Sequence, residues 1–206
     1  MRVSIYVDGF NVYHGVEEHC PEYLWLSYRA LAEVLTESQE TIQDVYYFTA
    51  VATWKSRKAI TEHEHFILAQ KSVDVKVVRG RFQKQSTECH LCHRFYTTHV
   101  EKRTDVNIAV QVMEDAFGNR FDKAWLVSAD SDLLPIIGAV KRLAPDKLIN
   151  VMFPIGRNSY DLRQTANAYR KMKRKHLARC QFPDRITYRG MVLGRPADWP
   201  KPAGTP

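Results

Sequence analysis

Four aspartates, Asp8, Asp105, Asp130 and Asp132, stand where they could do chemistry. Asp8 follows the apolar alternation Val3, Ile5, Val7. Asp130 and Asp132 follow the run Trp125, Leu126, Val127, within Trp125-Leu-Val-Ser-Ala-Asp-Ser-Asp-Leu-Leu134. Ligands of open parallel sheets bind outside the carboxyl ends of the strands, so an acid directly after a strand sits where substrates sit. One such acid is explained as an ordinary helix cap, and Ser131 or Asp132 with Pro135 in the first turn fits that reading. A second acid two positions earlier needs another reason. Clustered carboxylates raise one another's pKa by repulsion. A hard divalent cation removes that penalty, and ligand sets made only of oxygen favour Mg²⁺ or Mn²⁺ over zinc. Such a cation activates water and offsets charge on a phosphoryl oxygen. With Lys102, Arg103 and Arg157 nearby to meet phosphate, the residue types point to metal-assisted phosphodiester hydrolysis.

The elements that must position these acids follow from periodicity. Strands are predicted over 2–7, 44–50, 73–78, 125–128 and 148–153, from β-branched and aromatic runs. Helices are predicted over 28–35, 54–71, 101–117, from about Pro135 through Arg142, and after the turn at 156–160, where Asn158 or Ser159 serves as cap. On the 101–117 helix, Val106, Ala109, Val110, Met113 and Phe117 read as one buried stripe, with Asp105 at its edge. His63 and His65, at i,i+2 on a helix, lack the i,i+4 spacing of a metal pair and read as surface residues. Residues 79–85 read as a basic loop. Alternating strands and helices make the class α/β, a mainly parallel sheet of about five strands. Right-handed crossovers then bring every strand C-terminus to one rim.

At 206 residues the chain suffices for one sizeable domain. No run approaches a membrane span and no signal peptide is visible, so no membrane association and a cytoplasmic location are the expectation. The net charge of +7 concentrates in Arg170, Lys171, Lys173, Arg174, Lys175 and Arg179. That patch reads equally as a footprint for a phosphate backbone or as a solvated helix end. Of four cysteines, Cys89 and Cys92 form a C-x-x-C pair. A structural Zn²⁺ there needs four ligands, for which His93 and His99 are available; the alternative is a free dithiol in a loop that orders on RNA. After residue 180 the chain becomes proline-rich, Tyr188 to Leu193 fits a short strand, and the last dozen residues read as disordered.

Val7-Asp-Gly-Phe-Asn11, Glu101-Lys-Arg-Thr-Asp-Val106 and Val127-Ser-Ala-Asp-Ser-Asp-Leu133, in this order and spacing, resemble the NYN domain family, in its LabA-like branch, a PIN-like group related to metal-dependent ribonucleases. The resemblance implies a Rossmann-like three-layer sandwich with strand order 3-2-1-4-5, a nuclease domain over 1–180 with a Cys/His-containing insertion at 80–100, and a C-terminal extension over 181–206. It implies Mg²⁺ or Mn²⁺ held by Asp8, Asp105, Asp130 and Asp132, and an endoribonuclease-like hydrolase acting on RNA. Asp8 and Asp130 would hold the principal metal, Asp105 complete its shell or orient water, and Asp132 bind through water or a second ion. Asn11 and Ser128 would position ligands or phosphate, and Phe153-Pro-Ile-Gly-Arg-Asn-Ser159, with Arg157, Asn158 and Ser159, would close the site. Arg103-Thr104 departs from the Gly-Val or Gly-Thr pair more usual there. The competing function is a catalytically weak RNA-binding or regulatory module of the same fold. A homodimer and a regulatory protein partner both stay open.

Overall fold

Six strands meet as one sheet, the central ones buried on both faces and the two edge strands more exposed. The computed structural model describes residues 1–202. The first strand, β1 (Arg2–Asp8), is buried from Val3 onward and leads into α1 (Gly9–His19), a helix absent from the expected set. A helix α2 (Tyr28–Leu35), capped by Ser27, precedes β2 (Thr41–Thr49). Then come α3 (Arg57–Lys71) and the short β3 (Lys76–Arg79). Two strands outside the sheet follow, β4 (Arg81–Glu88) and β5 (Phe95–Lys102), before α4 (Thr104–Phe117). The second half holds β6 (Lys123–Val127), α5 (Leu134–Leu143), β7 (Leu148–Phe153), α6 (Tyr160–Thr165), β8 (Ala168–Lys171) and α7 (Arg174–Arg179). A last hairpin joins β9 (Arg185–Tyr188) to β10 (Met191–Gly194).

The sheet runs β3-β2-β1-β6-β7-β8, and each adjacent pair is parallel. Its first five members keep the expected order of chain appearance, third, second, first, fourth, fifth. The sixth, β8, was expected to be helical. Asn167 explains the difference: its amide and side-chain oxygen both bond Ile149 at the start of β7 (2.8 and 2.9 Å), which lays the next four residues alongside that strand. The basic cluster is thereby divided between an exposed edge strand and α7. Charged side chains on an edge strand also discourage pairing with other chains.

Helices cover both faces, and the core has two parts. One packs α1, α2 and α3 with Val3, Ile5 and Val7; the other packs α4 and α5 with Tyr6, Leu126 and Val151. Packing continues past residue 180. Phe182 and Leu193 are buried, and Trp199 lies against Trp25 and Phe66, so the expected disorder of the last dozen residues fails at Trp199; the part of that expectation on 203–206 lies outside the described residues. Among the described residues, no helix is long and apolar enough to cross a membrane.

Two expectations need correcting because polar residues hid the signal. Residues 81–102, read in the main as a basic loop and a cysteine segment, form the antiparallel hairpin β4–β5, paired from Arg81–Lys102 to Glu88–Phe95. Neither strand has a buried face, so there was no alternation to read. The helix read from Glu101 accordingly begins at Thr104. Its buried face is rotated from the expected stripe: Ile108, Val112, Asp115 and Ala116 are buried, Ala109 and Met113 pack partly against the core, and Val106, Val110 and Phe117 are exposed.

Candidate active site

Two aspartates that cap helical turns come out side by side because their strands are neighbours. Asp8 ends β1 in an extended conformation (φ −72°, ψ 102°), and its Oδ1 accepts the Asn11 amide at 3.1 Å. Asp130 follows β6, and its Oδ1 accepts the Asp132 amide at 3.0 Å, starting the 3-10 turn Ser131–Leu133. The expected cap at Ser131 or Asp132 is thus Asp130 itself, a role Asp favours for its short acceptor side chain. Ser128 and Asn11 tie the two loops together. The Ser128 hydroxyl donates to Asp8 Oδ2 at 2.8 Å and accepts the Asp130 amide at 3.0 Å; Asn11 Oδ1 accepts the Ala129 amide at 3.1 Å. Both residues were expected to meet a ligand, and in the structure they hold the acids' own loops in register.

Asp105 arrives from the other side, in the first turn of α4. Arg103, just before the helix, takes a left-handed conformation (φ 81°), and Glu101 turns back to accept from the amide (3.3 Å) and hydroxyl of Thr104. Gly80 makes room for this turn, since a Cβ there would lie 2.7 Å from both Glu101 Oε1 and Thr104 Oγ1. The result is that one carboxylate oxygen from each of Asp105, Asp130 and Asp132 falls within 4.8 Å of the others. Among the described residues, this is the one group of metal-ligating side chains so gathered. Asp8 stands outside that triad but within its field. Burial is the main force pushing its carboxyl up to about 6; the bonds from Asn11 and Ser128 oppose this, and the charges of Asp105 and Asp130 add to it. Asp105 is also raised, first by burial and then by Asp130, Glu101 and Asp132. Glu101 had been given no role, although it lies inside a motif the sequence displays. Three carboxylates without imidazole or thiolate suit a hard divalent cation, and neutralising their repulsion is what such a cation does.

The remaining expected residues are more dispersed. Lys102 and Arg103 are exposed at the entry to α4. Arg157 pairs with Glu18 at 2.9 Å, Asn158 is exposed, and Ser159 caps α6. The four expected zinc ligands do not come together. Cys89, Cys92 and His93 share the tip of the β4–β5 hairpin, where the amides of Cys92 and Leu91 lower the Cys89 thiol pKa and His93 bonds Glu88 at 2.8 Å. His99 lies down β5, stacked on Trp54 with ring centres 3.8 Å apart.

A cavity of about 350 Å³ opens beside Asp8, between α1, α3 and the end of β2. Gly9 forms part of its wall and packs so closely on Tyr47 that a Cβ would sit 2.3 Å from the ring. His63, expected at the surface, turns inward instead: its Nε2 lies 3.1 Å from Thr49 Oγ1 and 3.4 Å from the Tyr47 hydroxyl. Its pKa is lowered, chiefly by burial. Nothing in the i,i+2 spacing of two histidines signals this, because the partners come from a neighbouring strand.

Comparison with known proteins places the chain by family and fold. The model of the NYN domain family matches residues 2–173, which takes in all four aspartates. The 6-hydroxy-3-succinoylpyridine 3-monooxygenase HspA of Pseudomonas putida is 23% identical, over 97% of this chain and 75% of its own. A solved protein of unknown function from Vibrio parahaemolyticus superposes with a TM-score of 0.59 at 20% identity, over 84% of this chain and 93% of its own, a likeness of fold alone.

Proposed function

The chain belongs to the NYN domain family, and from that premise we propose that it is a metal-dependent ribonuclease that hydrolyses phosphodiester bonds at the Asp105, Asp130 and Asp132 cluster. The convergence of these three carboxylates within 4.8 Å is the observation that carries the reading. They would hold Mg²⁺ or Mn²⁺, which supplies a more acidic water and charge neutralisation at a phosphoryl oxygen. Asp8 takes up the proton of the attacking water. Each of its oxygens accepts one hydrogen bond and keeps a further lone pair, and a pKa of about 6 leaves it ionised at neutral pH yet basic enough to be useful. Ser128 and Asn11 act as positioning residues, fixing Asp8 against Asp130. The net charge of +7 and the cations at the entry to α4 favour a polyanionic substrate.

The cluster does not fit an iron-dependent form of the activity in the name of the Pseudomonas relative. Non-haem iron oxygenases favour two imidazoles and one carboxylate, whereas this cluster is carboxylate only. A cleavage assay tests the proposal: labelled single-stranded RNA and matched DNA with Mg²⁺, with Mn²⁺ and with chelator, for wild type and Asp130→Asn. Metal-dependent loss of RNA that the substitution abolishes is expected. Salt-sensitive retention of uncut RNA by the wild type would overturn catalysis in favour of a binding module.

A further inference from the structure

We propose that the aromatic cavity beside Asp8 is a base subsite, which takes one unstacked nucleobase of the RNA strand while the adjoining phosphate lies at the acids. This rests on the ribonuclease reading and extends it to how the strand is held.

The cavity and the acids are one residue apart in the chain. Asp8 lies within the field of Asp105 and Asp130, and Gly9 and Phe10, next along, line the cavity. The inner walls are aromatic and mutually braced: Tyr28 and Tyr47 lie 4.9 Å apart between ring centres, and Phe66 meets Tyr47 edge-on at 5.9 Å. Rings held in this way offer fixed faces to a flat ligand. At the mouth, Phe82 of the hairpin meets Phe10 at 5.5 Å and Trp54 at 4.5 Å, both edge-on. Trp54 is 41% exposed, and it already carries a planar heteroaromatic ring face to face, the His99 imidazole, with planes 7° apart.

An apolar cavity alone would not specify a base. Here three polar groups converge within it: the hydroxyls of Thr49 and Tyr47 and Nε2 of His63. A hydroxyl both donates and accepts, and a neutral imidazole does one on each nitrogen, so the group suits the mixed donor and acceptor edge of a base. The volume is at the small-molecule end of the range for binding pockets, too little for a helix or a folded partner. Bases are recognised in single strands by this combination of stacking and edge contacts.

Binding is measured in chelator, where no cleavage occurs, with a set of short RNA strands each lacking the base at one position, against wild type, Trp54→Ala and Trp54→Phe. Thermal melting checks that the variants fold. The expected result is one position whose missing base weakens wild-type binding on the order of tenfold, the scale of a single base–aromatic stack. Trp54→Ala should bind the intact strand as weakly as wild type binds that abasic one, and Trp54→Phe should restore most of the loss. Equal affinity for every abasic strand overturns the subsite even if RNA is cleaved. If RNA neither binds nor is cut, the parent reading fails, and free nucleoside monophosphates then decide the subsite by quenching of the part of the tryptophan fluorescence that Trp54→Phe removes. Quenching by pyridine carboxylates but not by nucleotides would assign the cavity to a small heteroaromatic acid and overturn the proposal.

Discussion

Asp8 shows how far one carboxyl can be set against the fold that carries it. Its pKa stands at about 6 against an ordinary 3.8, so the folded protein keeps a proton that the unfolded chain releases between those values. Stability from this group is therefore greatest at low pH and declines as pH rises from about 4 to about 6, by on the order of 3 kcal/mol in the absence of a cation. Asp8→Asn removes that burden. Without divalent cation the variant should melt above the wild type at pH 7.5, with the gap shrinking to about a third of that at pH 4.5, while cleavage is lost; an equal gap, or none, at both pH values would show that the carboxyl is not strained. Ser128→Ala tests the tie between the loops. It leaves Asp8 Oδ2 and the Asp130 amide short of a partner, and should cost about 1–3 kcal/mol in urea unfolding together with weaker Mn²⁺ binding by calorimetry. The four aspartates were legible in the sequence because acids after apolar runs are conspicuous. Their inequality was not. That Asp105, Asp130 and Asp132 converge while Asp8 stands behind them depends on the turn at Arg103, and a left-handed arginine leaves no mark in a sequence.

At the level of elements, α4 explains a misreading and offers a test of it. Apolar residues lie on both of its faces, and one of those faces, with Val106, Val110 and Phe117, is exposed. The buried face includes Asp115, which hydrophobic periodicity counts as a penalty. Its carboxylate is wholly enclosed and answered by the Tyr6 hydroxyl (2.7 Å), Gln111 (3.0 Å) and Arg120 (2.8 Å). Asp115→Ala should destabilise the protein by about 3–5 kcal/mol, since it strands those partners. Val110→Gln, on the face first read as core, should change stability by less than about 0.5 kcal/mol. Chemical denaturation of the two variants decides between the faces. The β4–β5 hairpin was missed for the opposite reason, since exposed strands carry no alternation. Joining Gln85 to Thr98 through Asn-Gly, a turn suited to a two-residue hairpin, should keep the melting temperature within a few degrees of wild type. A collapse in stability would mean that the tip, with its cysteines, supports the fold.

For the molecule as a whole, what matters is how distant segments complete the sheet. The six parallel strands were largely legible, five of them from composition; the sixth depended on Asn167 meeting Ile149 across a distance no window of sequence spans. The C-terminal segment was likewise read as a loose extension because prolines dominate it, yet Phe182 and Leu193 are core residues. A chain ending at residue 180 should lose at least about 3 kcal/mol from those two side chains alone, and should show a lower melting temperature or fail to remain soluble. The position of β1 has a consequence in time. It lies in the middle of the sheet, with Val3 paired on one side to Ile42 and on the other to Lys123. Its second neighbour is synthesised more than half a chain later, and parallel strands cannot be zipped by a local turn. During synthesis, β1 and β2 therefore wait with an unpaired apolar flank, the moment when such a protein is most exposed to aggregation. Folding should be slow and all at once, completed only when β6 slides in beside the first strand, so the same insertion that closes the sheet also assembles the acids.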